Sequence, residues 1–134
     1  APEKHPLLGL VSVIAPIITG GNTCVILASS INPFISISFA EVLNSSDVPG
    51  GVVNILTGYA DELLSHFSTH MDVNAIVYCG NDKKHIKSIQ ENAALNVKRV
   101  ILRKNTDWLS DEGQSPYMIL DNQEIKTAWH PIGV

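Results

Sequence analysis

Pro49-Gly50-Gly51-Val52-Val53-Asn54-Ile55-Leu56-Thr57-Gly58 is the stretch whose reading decides the fold. A breaker triplet opens it, a short apolar run rich in β-branched residues follows, and Thr57-Gly58 closes it. Such a run is too short for a helix and reads as a buried strand. Working outward, the pattern repeats. Pro6 suits the first turn of a helix running to about Thr19, which Gly20-Gly21-Asn22 stops before a strand at Thr23 to Ala28. Pro33 opens a second helix with Phe34, Ile37, Ser38, Val42 and Leu43 as its expected inner face.

Beyond Gly58, a helix from about Ala60 carries Leu63, Leu64 and Phe67 on one side, and Ala75 to Tyr78 is the next strand. Gly80-Asn81-Asp82 can cap a helix whose Ile86, Ile89, Gln90 and Ala93 face inward while Lys83, Lys84, Lys87 and Glu91 face water. Lys98 to Leu102 is a strand. A polar loop from Asn105 to Ser115, expected to be mobile, leads to a last short strand at Tyr117 to Leu120. Short apolar strands alternating with helices predict an α/β fold, a doubly wound, mostly parallel sheet with helices on both faces. Ligands of such sheets sit beyond the carboxyl ends of the strands, so Ala28 to Ser30, Thr57 to Gly58 and Cys79 to Asn81 mark the functional edge.

The composition fits one domain over residues 1–134. With 45% hydrophobic residues the chain is not disordered, and with net charge -4 and no basic run it lacks the field that holds a nucleic-acid backbone. The longest apolar stretch, Pro6 to Ile18, is interrupted by Ser12 and Pro16 and falls short of the roughly 20 residues of a membrane span. The opening residues do not follow the order of a secretory signal. Cys24 and Cys79 form no disulfide framework; both fall in expected buried strands as small, inert hydrophobes, which fits a cytoplasmic setting.

Pro6-Leu7-Leu8, Gly21-Asn22-Thr23, Pro49 to Asn54, Thr57-Gly58, Gly80, Lys98-Arg99-Val100 and Ser115-Pro116 fall in the order and near the spacing of one known family. Together they cover nearly all of residues 2–121. The chain resembles the middle of the Rossmann-like cofactor domain of the NAD(P)-dependent aldehyde dehydrogenase superfamily, and is incomplete relative to that domain.

The resemblance implies an NAD site and also shows where it departs. Where the family reads Pro-Trp-Asn-Phe-Pro, with Asn donating to the reaction's oxyanion, this chain has Pro2-Glu3-Lys4-His5-Pro6, so Lys4 stands at the Asn position. Where the family's Lys-Pro-Ser-Glu binds the adenosine ribose, this chain has Leu27-Ala28-Ser29-Ser30, which removes both charged anchors. At the family's pyrophosphate loop, Gly80 and Asn81 keep a glycine and a donor, but Asp82 adds a negative charge and His85 replaces a glycine. The vestigial cofactor contacts are therefore Ser29, Ser30, Gly80 and Asn81.

The family's general-base Glu aligns either with Arg103, counting from the strand, or with Ser110, counting back from Gly113-Gln114-Ser115-Pro116. Neither is a base near neutral pH. Asp111 and Glu112 lie in the enlarged loop, a poor place to hold a base. Cys24 and Cys79 lack the context of a nucleophile, whose segment in the family lies downstream in a second domain.

Two further features carry little. His66 and His70 are four apart, as in a zinc-protease motif, but Phe67 stands where that motif has Glu and the helix is expected to end between them. His130 before Pro131 is uninformative, and Asn44-Ser45-Ser46 is a glycosylation triplet of a kind that arises by chance.

The expectation is a non-catalytic aldehyde dehydrogenase-like domain, with no catalytic residues, no metal, NAD weakly held or absent, and another copy or another domain of the same protein as partner. It resembles the degenerate repeat of long, two-repeat members of the family sixteen type. The competing expectation is a piece of an active NAD-dependent enzyme whose catalytic Cys and second domain lie outside these residues.

Overall fold

The computed structural model describes residues 1–131 and 133. In chain order these form α1 (Pro6–Thr19), β1 (Cys24–Leu27), α2 (Pro33–Asn44), β2 (Val53–Leu56), α3 (Ala60–Thr69), β3 (Ala75–Tyr78), α4 (Lys83–Leu95), β4 (Arg99–Leu102) and a short α5 (Met118–Asp121). The strands pair in parallel, β1 with β2 and β3 with β4, in register Cys24↔Val53 to Leu27↔Leu56 and Ala75↔Arg99 to Tyr78↔Leu102. The α/β architecture with parallel strands thus stands as read, and the sheet is divided into two ladders.

Local chemistry explains the boundaries. Pro6 begins α1 without forfeiting a hydrogen bond, and Gly21, at φ 78°, ends it. The Gly21 amide donates to the Ile18 carbonyl and the Asn22 amide to that of Ile17, the paired bonds of a Schellman ending. Ladder bonds run past β1 at both ends, from Cys24 N–H to Val52 and from Ala28 N–H to Leu56, so the strand was read within a residue at each end.

The core lies under α1. Leu10, Val13 and Ile14 of the helix, Ile26 of β1 and Trp108 form its buried cluster, with Cys24, Val53, Ile55, Val77 and Cys79 packed against it. The opposite face of the first ladder carries Val25 and Leu56, which are 51% and 40% exposed.

Four local expectations are corrected. The last strand, Tyr117 to Leu120, is instead the turn of α5: Pro116 starts a helical bend, three successive amides from Met118 to Leu120 bond carbonyls three residues back, and Met118 is buried. Periodicity alone does not separate so short an apolar run from a helical turn. The inner face of α2 is Ser36, Phe39, Ala40 and Leu43, with Phe34, Ile37, Ser38 and Val42 outward, because a small residue at the contact lets α2 approach α1 closely. Gln90 is exposed, whereas Ile86, Ile89 and Ala93 are buried as read.

The loop after β4 is not a loose excursion. Trp108 inserts into the core, Gly113 is buried where any Cβ would strike the Asp107 carbonyl, and the Gln114 amide donates to Trp108 O at 2.6 Å and to Ser12 Oγ at 2.8 Å. A polar composition concealed one apolar anchor. Among the described residues, no helix is long and apolar enough to cross a membrane.

Candidate functional site at the carboxyl ends of the strands

The ends of β1 and β3 gather the residues singled out in the sequence. At β1, Ser29 is buried and Ser30 exposed, and both turn to a partner that sequence reasoning missed, Glu3. The Ser29 hydroxyl donates to one Glu3 carboxylate oxygen at 2.6 Å, and the Ser30 hydroxyl and amide donate to the other at 3.0 and 3.3 Å. The Ile31 amide adds a bond at 3.4 Å. Burial pulls the Glu3 carboxyl up, but the bonds from Ser29, Ser30 and Ile31 outweigh it and hold the group below its ordinary range.

The segment before α1 is seated to make this contact. Ala1 N donates to Leu27 O at 2.7 Å, and Pro2 is buried against Gly9, where an added Cβ would collide with its ring. His5 takes the left-handed conformation at φ 56°, which few residues other than glycine adopt, and turns the chain into α1. Lys4 is exposed, with no hydrogen bond to the segment's neighbours among those of the described residues.

At β3 the closure is local. Asp82 is the N-cap of α4, its carboxylate accepting from Lys84 N–H at 2.7 Å and His85 N–H at 3.2 Å. Those bonds, from His85 first and Lys84 second, lower its pKa. His85 bridges the Tyr78 hydroxyl, 2.9 Å from Nδ1, and the Asp61 carboxylate of α3, 2.6 Å from Nε2. The phenol lies over Gly80, where a Cβ would stand 2.5 Å from its oxygen, so the glycine is required by Tyr78. Burial, and then the nearby Asp82 charge, raise the Tyr78 pKa, so the phenol stays protonated at neutral pH. Asn81 pairs with Asn105: its amide donates at 2.5 Å to the Asn105 side chain, and the Asn105 backbone N–H returns a bond at 3.2 Å.

Beyond β4, Arg103 follows the strand directly, its amide bonding Tyr78 O at 2.9 Å and its guanidinium pairing with Asp121 at the start of the C-terminal segment. Ser110 lies in the loop, donating to Asp107 O, while Asp111 and Glu112 are exposed beside it. Between Arg103, Trp108, Ser12 and Met118 is a space of about 10 Å³, room for a single water.

The remaining candidates are dispersed. Cys24, the first residue of β1, and Cys79, just past the end of β3, are free and half-buried, less buried than expected. Burial raises both thiols, so neither is a ready thiolate. His66 sits in α3 and His70 just past its end, in extended backbone, so the helix stops between them. The sequence carried no signal for Glu3 with Ser29, a contact spanning 26 residues, or for Asp61 with His85. The one available hint was that Glu3 and His85 stand where the resembling family has other residue types.

Comparison with known proteins identifies the family. The model of the aldehyde dehydrogenase family matches residues 2–132. An aldehyde dehydrogenase from Aspergillus niger is 30% identical over 135 residues, 99% of this chain and 26% of that protein. Aldehyde dehydrogenase 1A1 of Equus caballus is 31% identical over 128 residues, 95% of this chain and 24% of that one. A crystal structure of aldehyde dehydrogenase from Bartonella henselae superposes with a TM-score of 0.64 at 32% identity, covering 69% of this chain and 19% of that one. The chain thus spans about a quarter of the length of the curated relatives it matches. It belongs to the aldehyde dehydrogenase family.

Proposed function

We propose that, within this family, the chain is a non-catalytic cofactor-type domain that serves as a scaffold, of the degenerate-repeat kind found in long, two-repeat members of the family sixteen type. One observation carries the reading. The first amides of α4, the groups that would face a pyrophosphate, are already bonded to the Asp82 carboxylate, so a dinucleotide arriving there meets a negative charge in place of open donors.

The other positions point the same way. Leu27 and the Glu3-bound serines offer a ribose no free charged anchor, the Tyr78 phenol, held by His85, stands over Gly80, and Arg103 holds no proton-accepting group. The residues present do not fit NAD. For a scaffold the useful surface is elsewhere. Val25 and Leu56 on the open sheet face, and Phe34 and Val42 on α2, are large apolar side chains left exposed, suited to packing against another copy or another domain of the same protein in the cytoplasm.

The test is the thermal midpoint of the purified chain with and without millimolar NAD. Ligand at about 100 times its dissociation constant stabilises by about 2.7 kcal/mol, a shift of several degrees for a domain of this size. A cooperative melt with no rise is the expected result. A clear rise overturns the proposal in favour of a piece of an active NAD-dependent dehydrogenase whose catalytic Cys and second domain lie outside these residues.

A further inference from the structure

Tyr78, His85 and Asp61 form a hydrogen-bonded chain that runs from β3 through the first turn of α4 to α3. The carboxylate fixes its polarity. Asp61 can only accept, so His85 Nε2, 2.6 Å away, carries the ring hydrogen, and Nδ1 of the neutral ring is left as an acceptor. The Tyr78 phenol, 2.9 Å from Nδ1, therefore donates to a base that is already within proton-transfer reach. We propose that Tyr78 is a site of one-electron oxidation and nitration, with His85 as the acceptor of its proton and two small inorganic radicals, carbonate radical and nitrogen dioxide, as the reagents.

The base decides the chemistry. Taking an electron from a phenol that keeps its proton leaves a strongly acidic radical cation, whereas moving the proton in the same event leaves a neutral phenoxyl radical. At Tyr78 the carbonate radical takes the electron and becomes carbonate, the Oη–H bond breaks, and the proton forms the second N–H of the His85 ring. Asp61 holds the resulting imidazolium from its other side by a charge-assisted bond. Nitrogen dioxide then bonds the ring carbon next to the one that bears the oxygen. His85 returns its proton to Oη, and the hydrogen displaced from the ring carbon leaves as a proton to carbonate. The sum is tyrosine, carbonate radical and nitrogen dioxide giving 3-nitrotyrosine and bicarbonate.

The surroundings admit these reagents and set Tyr78 apart. Its side chain is half-buried and that of His85 is 22% exposed, so a reagent of a few atoms reaches the ring from the open side. Burial, and then the Asp82 charge, keep the phenol protonated, so the group oxidised is the O–H and not a phenolate. The other two tyrosines, Tyr59 and Tyr117, are 66% and 73% exposed, and among the described residues neither phenol bonds a histidine. Accessibility favours those two and the proton acceptor favours Tyr78, so the order of reaction separates the two causes.

The test is exposure of the purified chain to peroxynitrite in bicarbonate buffer, which releases both radicals, followed by peptide mass spectrometry of the three tyrosines. The native chain is expected to carry most of its 3-nitrotyrosine at Tyr78, although that residue is the least exposed of the three. His85→Gln offers the phenol an acceptor but no base, and is expected to lower the Tyr78 yield about tenfold while Tyr59 and Tyr117 keep theirs. Preferential nitration of Tyr59 or Tyr117 in the native chain overturns the proposal, as does a Tyr78 yield that His85→Gln leaves unchanged.

If His85→Gln does not fold, Asp61→Asn takes its place, because that carboxylate is 86% exposed and its loss leaves the core untouched. The Tyr78 yield is expected to fall in the same direction by a smaller factor, since the imidazolium then lacks its counter-charge. An unchanged yield in Asp61→Asn counts against the proposal equally.

Discussion

The ends of β1 and β3 are closed by the same chemistry delivered in opposite ways. At β1 the closing carboxylate, Glu3, comes from 26 residues away, whereas at β3 the closing groups, Asp82 and His85, belong to the first turn of the helix they obstruct. A contact made from a distance in sequence lies outside the strand's own ladder, so its loss leaves the β1–β2 backbone bonds in place. A contact that is also a helix cap cannot be undone without weakening that helix. One end is therefore closed by a residue brought in by the fold and the other by a residue that also caps its own helix.

The largest perturbation tests what both ends share. Trp108 is 5% exposed and packs with Leu10, Val13, Ile14 and Ile26 under α1. Trp108→Ala is expected to cost about 3–5 kcal/mol in urea denaturation and to lower hydrogen-exchange protection near both strand ends. Loss confined to one end breaks the picture of a common support.

A smaller change separates the ends. Asp82→Ala removes the side-chain acceptor of the α4 amides and is expected to lower the thermal midpoint, while Asp82→Asn, which caps as well, stays close to the native chain. Glu3→Ala is expected to lower the midpoint less than Asp82→Ala does. The reverse order contradicts the distinction between a closure brought in by the fold and one that also caps its own helix.

The smallest effect is in acid. Hydrogen bonds hold the Glu3 carboxyl below its ordinary range despite burial, so over that window the unfolded chain binds more protons than the folded one. Its stabilising contribution is full above the unfolded value of about 4.3 and is lost as pH falls through the lower folded value. Glu3→Gln is expected to flatten the acid side of a stability-against-pH curve from urea midpoints. Asp82→Asn adds to the flattening, since that carboxyl is lowered for the same kind of reason. An unchanged slope in the double variant sinks this account.

The strands and long helices were legible because short apolar runs bounded by Gly and Pro, and helices opened by Pro6 and Pro33, follow from local sterics. The phase of α2 was not, because it is set by Ser36 against α1, and a serine looks polar to any hydropathy pattern. The last apolar run was misread as a strand for want of length, and the loop as mobile because Trp108 stood alone among polar neighbours. At the site, the altered positions were visible residue by residue. Their new partners were not, since Glu3, Asp61 and Asn105 meet Ser29, His85 and Asn81 only through the fold.

The ion pair of Arg103 with Asp121 decides what the end of β4 can hold. Both side chains are partly shielded, 24% and 38% exposed. Placing a glutamate at 103 would set two carboxylates against each other, and one would keep its proton or the pair would splay apart. A carboxylate at 103 is therefore accommodated only with a second substitution at 121.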